Sequence, residues 1–408
     1  MMSALPGLAE VFATDEFIRD PYPTYARLHA EAPVWRSPHG KVFVSSHALV
    51  STILTDHRRF PQPDDPNPSF HSMNPPEHTR QRKLVSRAFT PRATERLRAR
   101  IREIVADLVG AMEPGTEVDL VEALSVQLPT RMITGLLGVP LSDGERWEKW
   151  ANVLHAATAA PRFLPDQEER VSALRAEARE AAAEEREYFR ELVAARRAEP
   201  GADLISELVT IVEEGDRLTE DELVTTLVLL LGGGHHTSIS LISGCVHWLL
   251  RNPDQLELLR SNPGLVPGAV EETIRYDSPL QAVDRLAGER LELGGQPVEA
   301  GTRITLLLGA ANRDPAAFDD PDAFRVDRLE ARGHTSFGLG VHFCLGAPLA
   351  RAEGEEALRG LLGRFPGLGF VPDDPPVNDV LYTLRGFARM PIRLGEAAAG
   401  EAAAGEAP

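Results

Sequence analysis

One segment limits what this chain can fold into. It opens at Thr219-Glu220-Asp221-Glu222, which fits a capping box, with a hydroxyl at the helix N-cap and a glutamate three residues on. It continues as LVTTLVLLLGGGHHTSISLISGCVHWLL to Asn252-Pro253, where proline stops the pattern. The spacing predicts a single helix of roughly 30 residues, about 45 Å long at 1.5 Å per residue. Apolar nearly all round, a helix of that length must cross the middle of the protein. Its longest near-continuous apolar run, Leu227 to Leu231, falls far below the roughly 20 residues that a membrane span needs.

The remaining sequence suits such a centre. From about residue 80 to about residue 260 it is rich in Ala, Leu, Glu and Arg at helical spacing, as in TERLRARIREIVADLVGAM and QEERVSALRAEAREAAAEEREYFRELVAARR. Strand-like pieces are short and lie near residue 40, near residue 300 and just before the C-terminus. The fold class is therefore mainly α with small β-sheets. No Gly/Ser linker or charge block divides the chain, which points to one domain over residues 1–394. Residues 395–408 read GEAAAGEAAAGEAP and carry no large apolar group, so they are expected to form a flexible tail. With 61 acidic and 43 basic side chains the net charge is −18, which disfavours nucleic acid and anionic membrane as partners. The first residues lack a basic n-region and a long apolar core, so a cytoplasmic protein is expected.

Two features carry chemistry. Gly232, Gly233 and Gly234 lie inside the long helix, where each costs about 1 kcal/mol relative to alanine. Removing three side chains lets something flat or large touch the backbone, although close helix–helix packing would also use glycine. The second feature is Phe337-Gly338-Leu339-Gly340-Val341-His342-Phe343-Cys344-Leu345-Gly346, followed by a helix start at Ala347-Pro348. A helix N-terminus and free turn N–H groups facing the sulfur would stabilise a thiolate. The other cysteine, Cys245, lies in a very different context, which excludes a disulfide scaffold and a four-cysteine zinc site. A lone thiolate suits one open-faced metal centre, with haem iron foremost.

From about Asp20 to about Leu394 the chain resembles a bacterial cytochrome P450, a haem-thiolate monooxygenase of the natural-product type. The cysteine segment matches that family's Phe-Gly-x-Gly-x-His-x-Cys-x-Gly signature at every fixed position. Glu272-Thr273-Ile274-Arg275 fits its Glu-x-x-Arg motif, and Ala311-Asn312-Arg313-Asp314-Pro315 resembles a common bacterial segment. The resemblance implies a cytochrome P450 fold with the long central helix over haem b (iron protoporphyrin IX) and Cys344 as the iron ligand. Phe337, Gly346 and Gly234 would border the cofactor. His78 and Arg82, from Pro76-Glu77-His78-Thr79-Arg80-Gln81-Arg82, would meet its propionates together with Arg285 and His342. Glu272 and Arg275 would form a buried structural ion network completed by Arg328, while Ala323 occupies the place where the family's third arginine often lies.

The chain departs from the family in its central helix. The usual acid–alcohol pair is here His236-Thr237 within Gly233-Gly234-His235-His236-Thr237. By resemblance the pair delivers protons to bound dioxygen so that the O–O bond breaks. Either His236 replaces the acid as proton relay or contacts a polar substrate, or it fills a helix-packing niche and Thr237 acts with water. By analogy the pocket walls are the loop Pro61 to Met73 (Phe70, Met73), Leu231 and Gly234, Gln281 to Val283, and Tyr382 to Gly386 (Leu384). Ala160 to Asp166 is expected to be a mobile lid. The expected activity is oxidation of a medium-sized natural product, by hydroxylation or by oxidative C–C or C–N coupling. A separate ferredoxin and ferredoxin reductase would supply electrons, with Arg351 and Arg82 to Arg87 offering a basic patch. Two rival classes stand beside it. A haem sensor or carrier without turnover would not need Thr237 in a glycine-interrupted helix. A zinc hydrolase using His235, His236, His342 and Cys344 lacks a companion Cys-x-x-Cys or His-Glu-x-x-His.

Overall fold

A computed structural model describes residues 14–37, 40–65, 68–86, 89, 91–159, 168–211, 216–379 and 383–397. The expected lid at Ala160 to Asp166 and most of the expected tail, from residue 398 on, lie outside the described residues. Helices dominate and the sheets are small. The strand-like pieces near residues 40 and 300 meet in one four-stranded sheet, ordered Val34–Arg36, Val42–Val44, Arg303–Leu307, Ala282–Leu286. Val42–Val44 pairs in parallel with Arg303–Leu307, and the other two pairings are antiparallel. Near the C-terminus Pro391–Arg393 pairs on its two sides with Glu117–Asp119 and Gly369–Phe370. Among the described residues no helix is long and apolar enough to cross a membrane.

The expected central helix is two helices. Its start is as read: the Thr219 hydroxyl accepts from Glu222 N at 3.3 Å and the Glu222 carboxylate from Thr219 N at 2.8 Å. Helix Glu220–Gly233 then stops, and His236–Arg251 follows it. At the break Gly234 has φ −90° and ψ −6°, and His235 has φ −91° and ψ −75°. Three glycines in succession make helical geometry weakly preferred there, so other contacts decide the path. The Thr237 hydroxyl donates to the Gly233 carbonyl at 3.2 Å, occupying an acceptor at the frayed end. Beyond it, Leu241, Ile242, Cys245, Val246 and Leu249 enter the main apolar core, against helices Val266–Tyr276 and Ala347–Arg364. Cys245 is 1% exposed, and burial pushes its thiol up to about 12, so it packs as a core residue.

The tail boundary also moves. Gly395 O accepts from Gly115 N at 3.3 Å, and a Cβ on Gly395 would lie 2.6 Å from Gly367 Cα. Two backbones touch there because neither residue has a side chain, so Gly395 belongs to the packed structure.

Behind the cysteine segment lies a buried charge network. Glu272 Oε2 and Oε1 each meet Arg275 at 2.8 Å, and Arg328 Nε donates to Oε1 at 3.1 Å. All three side chains are fully buried. The remaining guanidinium N–H groups donate to the carbonyls of Asn312, Pro321, Asp319, Asp320 and Ala323. With its charges paired and its donors used, the network escapes most of the cost of burial. Removing the carboxylate charge leaves two guanidiniums facing each other in a dry interior. Glu272→Gln is expected to lower the unfolding free energy by about 3–5 kcal/mol in denaturant titration. A loss below about 1 kcal/mol would mean that the network does not hold the fold.

Candidate active site

The cysteine segment is shaped by two glycines and anchored by an asparagine. Gly338 and Gly340 take φ of +67° and +68°, a conformation that favours glycine, and a Cβ on Gly340 would lie 3.0 Å from Leu54 O. The turn closes through Cys344 N donating to Phe337 O at 2.8 Å. Just upstream, Asn312 Oδ1 accepts from Thr335 N and Thr335 Oγ1, and Asn312 Nδ2 donates to Ser336 Oγ. Phe337 lies under the Arg351 guanidinium at 4.6 Å, and Arg351 pairs with Glu271, which also meets His334 Nε2 at 3.2 Å. Burial pushes the Glu271 carboxyl up, but hydrogen bonds from His334 and Arg351 and the Arg351 charge hold it down at about 2.

Cys344 is exposed on one side, yet the atoms packed behind its sulfur desolvate it, and that burial is the largest influence on its thiol. The N–H groups of Gly346 and Ala347 and the charges of Arg82 and Arg351 oppose burial without overcoming it, so the thiol stays above its ordinary value. The turn N–H groups stabilise the thiolate, as the sequence suggests, and burial works against them. A cation at the exposed side of the sulfur would tip the balance.

The four expected propionate partners come from three separate stretches and converge. His78, on helix Glu77–Ser86, is 1% exposed, and neither of its ring nitrogens has a hydrogen-bond partner. Its ring lies 4.2 Å from that of His342, whose buried Nε2 is likewise unpartnered. Arg285, 6% exposed, donates to Gln62 Oε1 at 3.1 Å and to the Asp284 carbonyl at 2.8 Å. Arg82 reaches the Phe343 carbonyl at 2.5 Å. Burial, then neighbouring positive groups, lowers His78 to about 4 and His342 to about 3, and burial lowers Arg285 to about 10. The nearest carboxylate, Asp284, is already engaged by Arg303 and Thr305. A buried guanidinium beside neutral imidazoles with unfilled hydrogen bonds makes an anion site, and two carboxylates on a flat group beside a cysteine fit it. An open recess of about 480 Å³ lined by His57, Arg58, Pro61, Asn74, Pro75 and Pro76 adjoins it, Asn74 Oδ1 accepting from Gln62 N.

At the break in the central helix, a Cβ on Gly232 or Gly233 would meet nothing within 4 Å, and one on Gly234 only Leu230 O at 3.4 Å and Ile133 at 4.0 Å. Open space therefore lies along this backbone, which is not what close helix packing would leave. The two histidines diverge. His235 is 1% exposed, bonded to Thr130 Oγ1 at 3.1 Å and edge-on to Trp147, a packing role. His236 is half-buried, with Nε2 3.1 Å from Asn152 Oδ1 on helix Gly144–Ala159. Thus the four residues weighed as zinc ligands have separate surroundings, and no group of three or more potential ligands occurs among the described residues.

The pocket residues divide. Met73 and Val283 are half-buried, and Leu384 pairs with Leu280 in an isolated bridge. Phe70 and Leu231 are 4% and 2% exposed and share one apolar cluster with Leu84 and Val85, so their surface is largely spent on packing. Gln281 is no wall residue: its amide is locked between Tyr25 OH at 3.0 Å and Ser278 O at 2.7 Å, against Gly309. Tyr382 lies outside the described residues. Asn152 and Glu353 carry no local signal in the sequence, and Gln62 entered only as part of the loop Pro61 to Met73; Glu353 is 2% exposed, bonded to Ser238, and pushed up to about 7 by burial.

Comparison with known proteins agrees with this geometry. The family model described as Cytochrome P450 matches residues 32–377. Cytochrome P450 107B1 of Saccharopolyspora erythraea is 41% identical over 359 residues, covering 87% of this chain and 84% of that protein. The 6-deoxyerythronolide B hydroxylase of the same organism is 37% identical over 426 residues, covering 96% and 100%. Among solved structures, P450BioI in complex with a hexadec-9Z-enoic acid-ligated acyl carrier protein superposes with a TM-score of 0.85 at 34% identity, covering 94% and 100%.

If the cation cluster holds haem carboxylates, Arg285→Ala should weaken haem retention by roughly tenfold to a hundredfold in competition with apomyoglobin, the scale of one charge-assisted hydrogen bond. Cys344→Ser should retain haem but lose the thiolate-type carbonyl spectrum. An unchanged spectrum would identify a different ligand.

Proposed function

The chain belongs to the cytochrome P450 family of haem-thiolate monooxygenases, and on that premise we propose that it hydroxylates a medium-sized, moderately polar natural product. The observation that carries this reading is the buried Arg285 guanidinium beside His78 and His342, where both ring nitrogens of His78 and Nε2 of His342 lack hydrogen-bond partners, next to the exposed Cys344. Haem b, which Cys344 would hold there, would supply dioxygen activation; the protein's part is to hold, orient and protonate. His78, Arg82, Arg285 and His342 would bind its two carboxylates. Gly232, Gly233 and Gly234 leave the backbone bare for it, and Phe337 and Gly346 border the ligand turn. The Thr237 hydroxyl, already donating to Gly233 O, is placed to hold and pass a proton, with His236 one residue before it. Glu272 and Arg275 keep the layer behind the cysteine rigid.

Electrons are proposed to come from a separate ferredoxin and ferredoxin reductase. The chain has one cysteine besides the ligand, and one cannot hold an iron–sulfur cluster. Arg82 and Arg351, beside the cysteine turn, offer positive charge to an acidic donor although the whole chain carries −18. We place the protein in the cytoplasm with its reductant. A sensor or carrier without turnover is disfavoured by the open stretch at the helix break, which a closed carrier would fill.

The substrate class rests on a relative that hydroxylates 6-deoxyerythronolide B and on a structural neighbour that binds a carrier-linked acyl chain. Macrolactones, cyclic dipeptides, flat aromatics and carrier-bound acyl or aminoacyl groups therefore form the test panel. A low-to-high-spin Soret shift with free macrolactones is expected. A shift only with carrier-bound groups would replace the free substrate by a presented one, and no shift with any class would remove natural products from the proposal.

One observation favours a second reading. With a histidine in the acid's place, proton delivery differs, and that suits hydrogen-atom removal followed by C–C or C–N coupling. His236→Glu is then expected to divert product from coupled to hydroxylated material, and His236→Ala to slow both. Identical products at wild-type rates from both variants would leave His236 without a chemical role.

A further inference from the structure

We propose that Asn152 is a positioning residue for proton transfer, holding His236 through its Nε2 proton and tying helix Gly144–Ala159 to the break in the central helix. This rests on the reading of Thr237 and His236 as the proton-handling pair. His236 Nε2 lies 3.1 Å from Asn152 Oδ1. A carboxamide oxygen only accepts, so the ring carries its proton on Nε2. Burial lowers His236 to about 4, which makes the ring neutral at physiological pH. The amide oxygen cannot take up that proton, so the neutral ring accepts and returns a proton at Nδ1 alone, and the partner that fixes the tautomer also fixes which atom handles the proton.

The surroundings match a neutral relay. The side chains facing this turn are His235, edge-on with ring centroids 4.9 Å apart, Trp147 and Asn152 from helix Gly144–Ala159, and Thr130 from helix Gln127–Leu137. Trp147, Asn152 and Thr130 are uncharged side chains. A carboxylate in place of His236 would have only acceptor oxygens to offer Asn152 Oδ1, whereas the imidazole offers a donor. The two histidines thereby make two struts, His235 to Thr130 and His236 to Asn152, that hold the flexible glycine break to the helices above it. Moving helix Gly144–Ala159 would move the His236 ring, so closure over a substrate and readiness for proton transfer become one event. Asn152 is exposed, so replacing it spares the core.

The test uses the haem-loaded enzyme with Asn152→Ala, Asn152→Asp, His236→Ala and the Asn152→Ala/His236→Ala double variant. The His236 titration is followed by NMR of ring-labelled histidine in the diamagnetic ferrous carbonyl form. Asn152→Asp places a carboxylate on the Nε2 proton and favours the imidazolium, so the midpoint is expected to rise, and the pH profile of product per electron to shift upward with it. Asn152→Ala is expected to lower product per electron roughly threefold to tenfold, with peroxide released instead, and to add nothing in the His236→Ala background. An unmoved midpoint in Asn152→Asp, or equal losses from Asn152→Ala with and without His236, would overturn the assignment. A wild-type protein lacking the thiolate-type carbonyl band would instead overturn the functional reading, which keeps the two failures apart.

Discussion

The ion network of Glu272, Arg275 and Arg328 is the interaction on which the site depends. Its guanidiniums do more than neutralise a carboxylate. Arg275 Nη1 holds the Asn312 carbonyl at 2.9 Å, and the Asn312 side chain holds Thr335 and Ser336, the residues that enter the cysteine turn. Ser336 Oγ in turn donates to Ile274 O, next to Arg275 on the same helix. A closed circuit of hydrogen bonds therefore runs from the charge pair to the ligand segment and back. Such circuits are costly when incomplete and rigid when complete. Here the rigidity is passed to a turn whose two positive-φ glycines would otherwise leave it loose.

A second constraint is electrostatic and local. The chain as a whole is acidic, yet around Cys344 the acidic groups are either spent or turned away. Glu271 is held by Arg351 and His334, Asp284 by Arg303 and Thr305, and Glu272 by its arginines. What is left over is one buried guanidinium, Arg285, and two imidazoles short of hydrogen-bond partners. A buried cation without a carboxylate, beside buried ring nitrogens left unfilled, costs free energy that an anionic ligand would offset. Net charge thus constrains the outer surface, and the order in which carboxylates are committed decides the site.

Legibility in the sequence followed the range of the interactions. The cysteine turn was readable because its requirements are local: glycines where φ is positive, a cysteine after the turn, a helix start behind it. Glu272 and Arg275 share one helix turn and were equally plain. Contacts across the chain were not. His78 and His342 stack although they are far apart in sequence, and only resemblance to a family brought them together. Gln281 read as a pocket residue because nothing local announces that Tyr25 will lock its amide. Gly395 read as tail because its partner, Gly367, is another small residue with no pattern of its own. The central helix was located correctly at both ends, where capping and proline act locally. Its continuity was misjudged because the break is decided by Thr130, Trp147 and Asn152 on neighbouring helices.

That break explains why the replacement of an acid by histidine is structurally tolerable. A carboxylate at position 236 would lie beside His235, Trp147 and Asn152, where the imidazole now meets Asn152 Oδ1. The imidazole is neutral in the same place and donates a hydrogen bond to the amide oxygen. Three glycines allow the backbone to leave the helix there, Thr237 caps the freed Gly233 carbonyl, and each histidine finds its own helix to hold. Backbone freedom, side-chain chemistry and helix placement are consequently adjusted to one another at this point. Restoring the family's acid at position 236 would replace the donor at Asn152 Oδ1 by an acceptor, so the Asn152 amide would have to turn its Nδ2 toward it.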